Sequence, residues 1–525
     1  MGQDHAVERA RTDVVNATCT VALDIGTGST RAALVDAQGR VLAVAACEYE
    51  QIVPAHGWSE QRPADWWAAA RETLQRVTAH ARDAALTIEA VAACGQMHGT
   101  VLIDDDGFPT RDTVPLWNDK RTLAHVRAFE ASERTADWLP DTANPPTPAW
   151  PAFKLQWLRD NDPAAWQRAT CVLMPKDYVN LRLTGERCMD WTDAGCSFLM
   201  DPRTGAWSTR VLAKLELDAS RLPPIRLPTD ILGPVTPEAA AATGLRPGTP
   251  VLVGGGDYPV ALLGSGVSRP GLASEVAGTS SIVTLVAERP VLDPRICNVG
   301  TPEGHWGAFV LLESGGDAAR WARRTFHGNQ ASYAEIVDLA ASATPGSDGL
   351  FFLPFLVGER LGAHGNSRAQ FFGLSAGHGI DELHRAVLEG VGFAVNRHLA
   401  IMERATGTVP DTLVASGGGA RADLWLRIKA SIYDRPILVP EEPECGLIGC
   451  AALAAVATGG ASDLADATSR LVRHAREVLP DPAWAERYRR MQAVFDRIYE
   501  RSQALYDDLD ALVEPVPDGA AGDSS

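Results

Sequence analysis

Asp257 follows the run Pro250-Val251-Leu252-Val253-Gly254-Gly255-Gly256 and precedes Tyr258 and Pro259. Val251, Leu252 and Val253 predict a short buried strand, and the small residues at 261–264 predict the start of a helix. Asp257 therefore falls at a strand-to-helix turn, where open α/β sheets bind ligands. The three glycines let a substrate or another backbone approach its carboxylate closely. A carboxylate so placed can take a proton from a substrate hydroxyl. The same pattern also fits an ordinary N-cap for the helix that follows.

A second carboxylate, Asp24, opens the loop Asp24-Ile25-Gly26-Thr27-Gly28-Ser29-Thr30. Its glycines can aim successive N–H groups at one point and its hydroxyls add donors, a nest suited to phosphate, while Asp24 could hold Mg²⁺ through water. A two-glycine hairpin turn has the same composition. Gly95-Gln96-Met97-His98-Gly99 is another turn at a strand end, where His98 could bond a polyol or be satisfied by local backbone. Leu116-Trp117-Asn118-Asp119 is a mixed polar and aromatic cluster of the kind that binds sugars. Gly417-Gly418-Gly419, between a strand and a helix, suits backbone contact with a nucleotide or simply close packing. Pro175-Lys176-Asp177-Tyr178 and Met189-Asp190-Trp191-Thr192-Asp193 are polar turns that also fit ordinary helix starts.

These groups need a scaffold. Residues 19–48 read as three strands in an antiparallel meander, turned at 26–29 and 36–39. A helix begins at Pro63, with Trp66, Trp67, Leu74 and Val77 as its apolar stripe, and residues 88–94 form the next strand. Residues 145–161 are a proline-braced loop entering a helix. After Asp257 the pattern restarts: strands at 272–277 and 282–287 flank Gly278-Thr279-Ser280-Ser281, with Gly278 and Thr279 in the places of Gly26 and Thr27. This suggests two similar domains facing each other. A strand at 306–313 ends at Ser314-Gly315-Gly316; Asp381 is the expected cap of a helix running to residue 406 with Gly407 as its stop. Residues 412–415 predict a strand, and 446–458 a tightly packing helix of small residues.

The chain has 525 residues, enough for two or three domains, with 46% hydrophobic and 22% charged residues as in ordinary globular proteins. A formal charge of -18 repels nucleic acid and anionic lipid, so neither partner is expected. Nine scattered cysteines without CxxC spacing read as core residues in a reducing cytosol. The polar N-terminus lacks a signal-peptide core, no stretch is long enough to span a membrane, and the Pro, Gly and Asp content of the C-terminal end reads as a solvated tail.

Three motifs stand together with the GGGD run: LDIGTGST at 23–30, GQMHG at 95–99 and LWNDKR at 116–121. With Phe153-Lys154-Leu155-Gln156-Trp157-Leu158, and FLPFLVGERLG followed by AQFFGLSAGHGIDELHRAVLE, the chain resembles the FGGY carbohydrate kinases, most closely the xylulokinases, over about residues 19–505. The resemblance implies an α/β fold of two ribonuclease H-like, actin-like ATPase domains with a cleft between them. A sugar-binding domain is expected at 19–266 and an ATP-binding domain at 267–512, flanked by disordered tails at 1–18 and 513–525. It implies a cytoplasmic enzyme using ATP and Mg²⁺. Carried over, Asp257 is the general base and Asp24 the metal-associated carboxylate. Thr27, Gly28 and Ser29 face the γ-phosphate, Gly278 and Thr279 the ATP phosphates, Gly316 the nucleotide region, and Gly418, Gly419 and Asp423 the adenosine. Met97, His98, Trp150 and Tyr258 fall on sugar-contacting positions.

The scarcity of lysine fits a phosphate site without a Walker lysine. Xylulokinases carry Asn after the catalytic Asp where this chain has Tyr258, and Ala149 falls outside the first signature's usual residues. The expected reaction is D-xylulose to D-xylulose 5-phosphate. Another ketose, a polyol, a signalling sugar or an ATP-driven sensor are the alternatives, although the MHG element favours a ketose over glycerol. Family members are often dimers, so the resemblance allows a homodimer.

Overall fold

The structure is a computed structural model that describes residues 17–359 and 365–512. The C-terminal tail, nearly all of the N-terminal one and residues 360–362 of FLPFLVGERLG lie outside the described residues. The chain divides into two compact units, each drawn from separated stretches. The first takes the chain up to residue 272 with 285–309 and 440–474; the second takes 273–284, 310–439 and the chain from 475 onward.

In the first unit the strands Thr18–Ile25, Ser29–Asp36 and Val41–Glu48 form the expected antiparallel meander. Successive side chains of a strand face opposite sides, and here both faces of the first strand are covered. Val21, Leu23 and Ile25 pack with Trp66, Leu74 and Val77 of the helix Pro63–Asp83. Ala22, Ala33, Ala90 and Ala92 face the small-residue helix Cys445–Ala457, through Ala451, Ala452 and Ala454. The same small-residue helix also lies close to the helix Asp257–Gly264, where a Cβ on Gly264 would lie 1.8 Å from the Cys445 carbonyl oxygen.

The strand Thr87–Gly95 runs parallel to the first, with Cys94 opposite Asp24. Gly255–Gly256 pairs along the other side of the same strand, placing Gly255 opposite Cys94. One strand thus carries Asp24 on one flank and the approach to Asp257 on the other, at a shared end.

In the second unit the strand Ala273–Ala277 runs parallel to Leu413–Ser416, which runs parallel to Ile437–Pro440. Lys429 holds Glu275 at 2.5 Å and the Tyr433 hydroxyl donates to the same carboxylate at 2.8 Å, all three buried. The helix Ile380–Thr406 ends at Gly407 (φ 69°) as expected, but its N-cap is Gly379 rather than Asp381. Glycine has no capping side chain, so the Glu382 carboxylate turns back to accept from the Gly379 N–H at 2.7 Å, while Asp381 accepts from Ser342. No helix among the described residues is long and apolar enough to cross a membrane. Eight of the nine cysteines are buried, as the sequence suggests.

Candidate active site

Asp257 is the first residue of the helix Asp257–Gly264, which starts four residues earlier than its small-residue run suggests, and Gly256 is the N-cap. The Asp257 carboxylate is not spent on capping at a distance; its Oδ1 accepts from the adjoining Tyr258 N–H at 2.7 Å. Burial, then the negative charge of Asp24, push its pKa up to about 7, and the Tyr258 N–H draws it back only in part. Asp24 is also raised, to about 6, by burial; Arg31, 3.9 Å away, opposes the shift, as does the Cys94 thiol at 3.6 Å. The result is one carboxylate poised near neutrality beside another of lower pKa. Such a group can accept a proton at physiological pH and release it again.

The loop after Asp24 is held by its carbonyls. Tyr49 donates to the Gly26 oxygen at 2.5 Å, the Gln61 side chain to the Thr27 oxygen at 2.6 Å, and the Tyr49 N–H to the Gly28 oxygen at 3.2 Å. With its acceptors engaged, what this loop offers a ligand is donors, the chemistry an anion needs. Trp117 donates from its indole to the Thr27 hydroxyl at 3.1 Å. Asp119, in the same LWND cluster, is fully committed to Arg121 and the Ser59 N–H. Within that cluster Asp119 thus serves as scaffold, while Trp117 keeps an exposed face.

Met97, His98, Trp150 and Asp257 all belong to the first unit. A Cβ on Gly256 would lie 2.8 Å from Met97 Cγ, so the residue before Asp257 seats directly on Met97. His98 adopts a left-handed backbone (φ 68°), uncommon for a residue with a side chain. Its ring meets Trp150 edge-on at 5.0 Å, and the Trp150 indole is fixed by the Pro145 oxygen at 2.7 Å. Tyr258 lies 6.0 Å from Phe309, ring centre to ring centre.

Behind the glycine run lies a charged clamp. Gly254 (φ 71°) passes so close to the neighbouring strand that a Cβ would sit 1.9 Å from the Ala93 oxygen, so only glycine fits. Lys176, with no exposed side-chain surface, donates to the Val253 oxygen at 3.1 Å and pairs with Asp177 and with Asp190 at 3.1 Å. Asn180 donates to the same oxygen at 2.9 Å. Thr192 accepts from the Gly256 N–H at 2.9 Å and donates to Asp190 at 2.5 Å. Both polar turns flagged in the sequence thus converge on the backbone that presents Asp257. Their residue types were visible; their convergence was not, since Lys176 and Val253 are 77 residues apart.

In the second unit, Gly278 donates to the Ser280 oxygen at 2.8 Å, much as Gly26 donates to the Ser29 oxygen at 3.0 Å in the first. Gly316 and Asp317 donate to the oxygens of Gly278 and Thr279, each at 3.0 Å, seating this turn on the start of the helix Gly316–His327. Gly418 and Gly419 follow the parallel strand, and Gly419 abuts Ala277, the residue before Gly278. Gly278, Thr279 and Gly418 are exposed. Asp423, exposed at the start of the helix Asp423–Tyr433, pairs with Arg476.

Models of the N-terminal and C-terminal domains of the FGGY family of carbohydrate kinases match residues 19–264 and 273–458. A xylulose kinase of Bacillus subtilis is 29% identical over 492 residues, covering 92% of this chain and 97% of its own. An autoinducer-2 kinase of Salmonella paratyphi B is 32% identical over 520 residues, covering 94% and 95%. The crystal structure of a xylulose kinase from Rhodospirillum rubrum superposes with a TM-score of 0.87 at 31% identity, over 93% of this chain and all of the other.

Proposed function

We propose, from the premise that this chain belongs to the FGGY family of carbohydrate kinases and is a sugar kinase, that it moves the γ-phosphoryl group of ATP to a terminal hydroxyl of a small ketose. The observation that carries this reading is Asp257, presented on the first turn of a helix with its pKa raised to about 7 beside Asp24. Asp257 takes the hydroxyl proton as the sugar oxygen bonds to the γ-phosphorus and the bond to the bridging oxygen breaks, releasing ADP.

Asp24 suits a divalent cation. Its nearest cation, Arg31, stands 3.9 Å off and is shared with Glu444 at 3.5 Å. Asp24 is the residue of this loop that would hold a Mg²⁺ ion. Bound there, Mg²⁺ supplies charge neutralisation on the phosphoryl oxygens. Thr27, Gly28 and Ser29 offer donors to the γ-phosphate. Gly278, Thr279 and Gly316 contact the ATP phosphates and nucleotide, and Gly418, Gly419 and Asp423 the adenosine. We assign the sugar to the domain at 19–266 and ATP to that at 267–512, and place the reaction in the cytoplasm.

Met97, His98, Trp150 and Tyr258 line the acceptor. D-Xylulose is the first acceptor to test, given the xylulose kinase relatives. A second reading, a signalling sugar, is favoured by Tyr258 packed toward Phe309 and by the relative named autoinducer-2 kinase. The test is ADP release with MgATP over ketoses, aldoses and polyols of three to seven carbons. D-Xylulose is expected to stimulate turnover most. If it fails and a smaller or deoxygenated ketose works, the second reading replaces the first; stimulation by no sugar contradicts both.

A further inference from the structure

The chain contains five lysines, and three of them, Lys154, Lys176 and Lys429, are at most 1% exposed. Lys176 and Lys429 have carboxylate partners. Lys154, on the helix Pro151–Asn161, has none within ion-pair distance among the described residues. Its Nζ instead donates to two backbone carbonyls, those of His98 and Ala149, each at 2.8 Å.

Both carbonyls belong to the proposed sugar subsite. His98 has a left-handed backbone (φ 68°), and its oxygen also accepts from the Thr100 hydroxyl at 3.2 Å. Ala149 directly precedes Trp150, whose ring meets His98 edge-on at 5.0 Å. One amine head therefore joins the two backbone segments whose side chains face each other. The charged groups around it are Asp119, already bound to Arg121, and Arg121 itself. Burial pushes the Lys154 pKa down to about 7, with Asp119 only partly opposing it. A neutral amine keeps two N–H donors, enough for both carbonyls, so losing the proton does not undo the join.

We propose that Lys154 is a positioning residue for the acceptor, a latch that fixes His98 against Trp150 and so sets sugar affinity without touching the sugar. This rests on the reading of His98 as a sugar contact. A latch acting through His98 must lose its effect when His98 is absent, whereas a general stabiliser does not.

The test is a double-mutant cycle on the full chain with Lys154→Met and His98→Ala, read as KM for the best-stimulating sugar, KM for ATP, and kcat. Lys154→Met is expected to raise the sugar KM about tenfold, leave the ATP KM within twofold, and add little once His98→Ala is present. Lys154→Gln, which keeps a neutral donor, should recover part of the loss and serves in place of Lys154→Met if that variant does not fold. A raised sugar KM in His98→Ala with additive effects overturns the latch alone. An unchanged sugar KM in His98→Ala overturns the reading of the subsite, and the latch with it.

Discussion

Lys154 and Lys176 are equally buried in the same unit yet live in opposite electrostatic surroundings. Lys176 stands among Asp177, Asp190 and Asp193, which hold its pKa well above the ordinary lysine value despite burial. Lys154 has only carbonyl dipoles within bonding distance, and burial brings it to about 7. A buried cation is tolerated either by pairing or by giving up its proton. The paired lysine makes a rigid clamp for the backbone that presents Asp257; the unpaired one makes a neutral-capable tie between His98 and Ala149.

The largest expected effect falls on the paired site. Lys176→Met strands Asp177 and Asp190 without their cation and should cost about 3–5 kcal/mol in denaturant unfolding. A loss under 1 kcal/mol would mean that the carboxylates are neutral in the folded protein and the contrast false.

Next is the pH dependence of the unpaired site. With a folded pKa of about 7 and an unfolded value near the usual ~10.4, the unfolded chain binds more protons between those limits. Wild type should therefore gain stability over Lys154→Met as pH rises above 7, by up to about 1.4 kcal/mol per pH unit. A difference that stays flat from pH 7 to 9 would show Lys154 charged and its surroundings no different in kind from those of Lys176.

The smallest effect sharpens the clamp. Thr192→Val removes the acceptor of the Gly256 N–H and one donor to Asp190, and should cost about 1–3 kcal/mol. Because Gly256 precedes Asp257, kcat should fall severalfold with the sugar KM nearly unchanged; a rise in KM alone would place the clamp on binding rather than on the base.

Much of this was legible in the sequence where the cause is local. The meander of 19–48, the strand ending at Gly95 and the turn at Asp257 follow from alternation and glycine placement. What escaped was set at long range. Nothing near Trp117 says that its indole meets Thr27, 90 residues away. Thr192 reads as a helix-start residue until strand pairing brings Gly256 to it. The helix Asp257–Gly264 starts ahead of its small-residue run because Pro259 fits a first turn as well as a loop. Gly379 replaced Asp381 as cap because Glu382 could supply the missing acceptor.

The most direct test of the central claim is the pH profile of kcat/KM for sugar-dependent ADP release, compared between wild type and Asp257→Asn. Wild-type activity should fall as pH drops below about 7, since the base must be deprotonated and its pKa is raised. The variant should lose about 10²–10⁴-fold, and the inflection with it. A variant that keeps wild-type turnover, or the same inflection, would show that Asp257 is not the base.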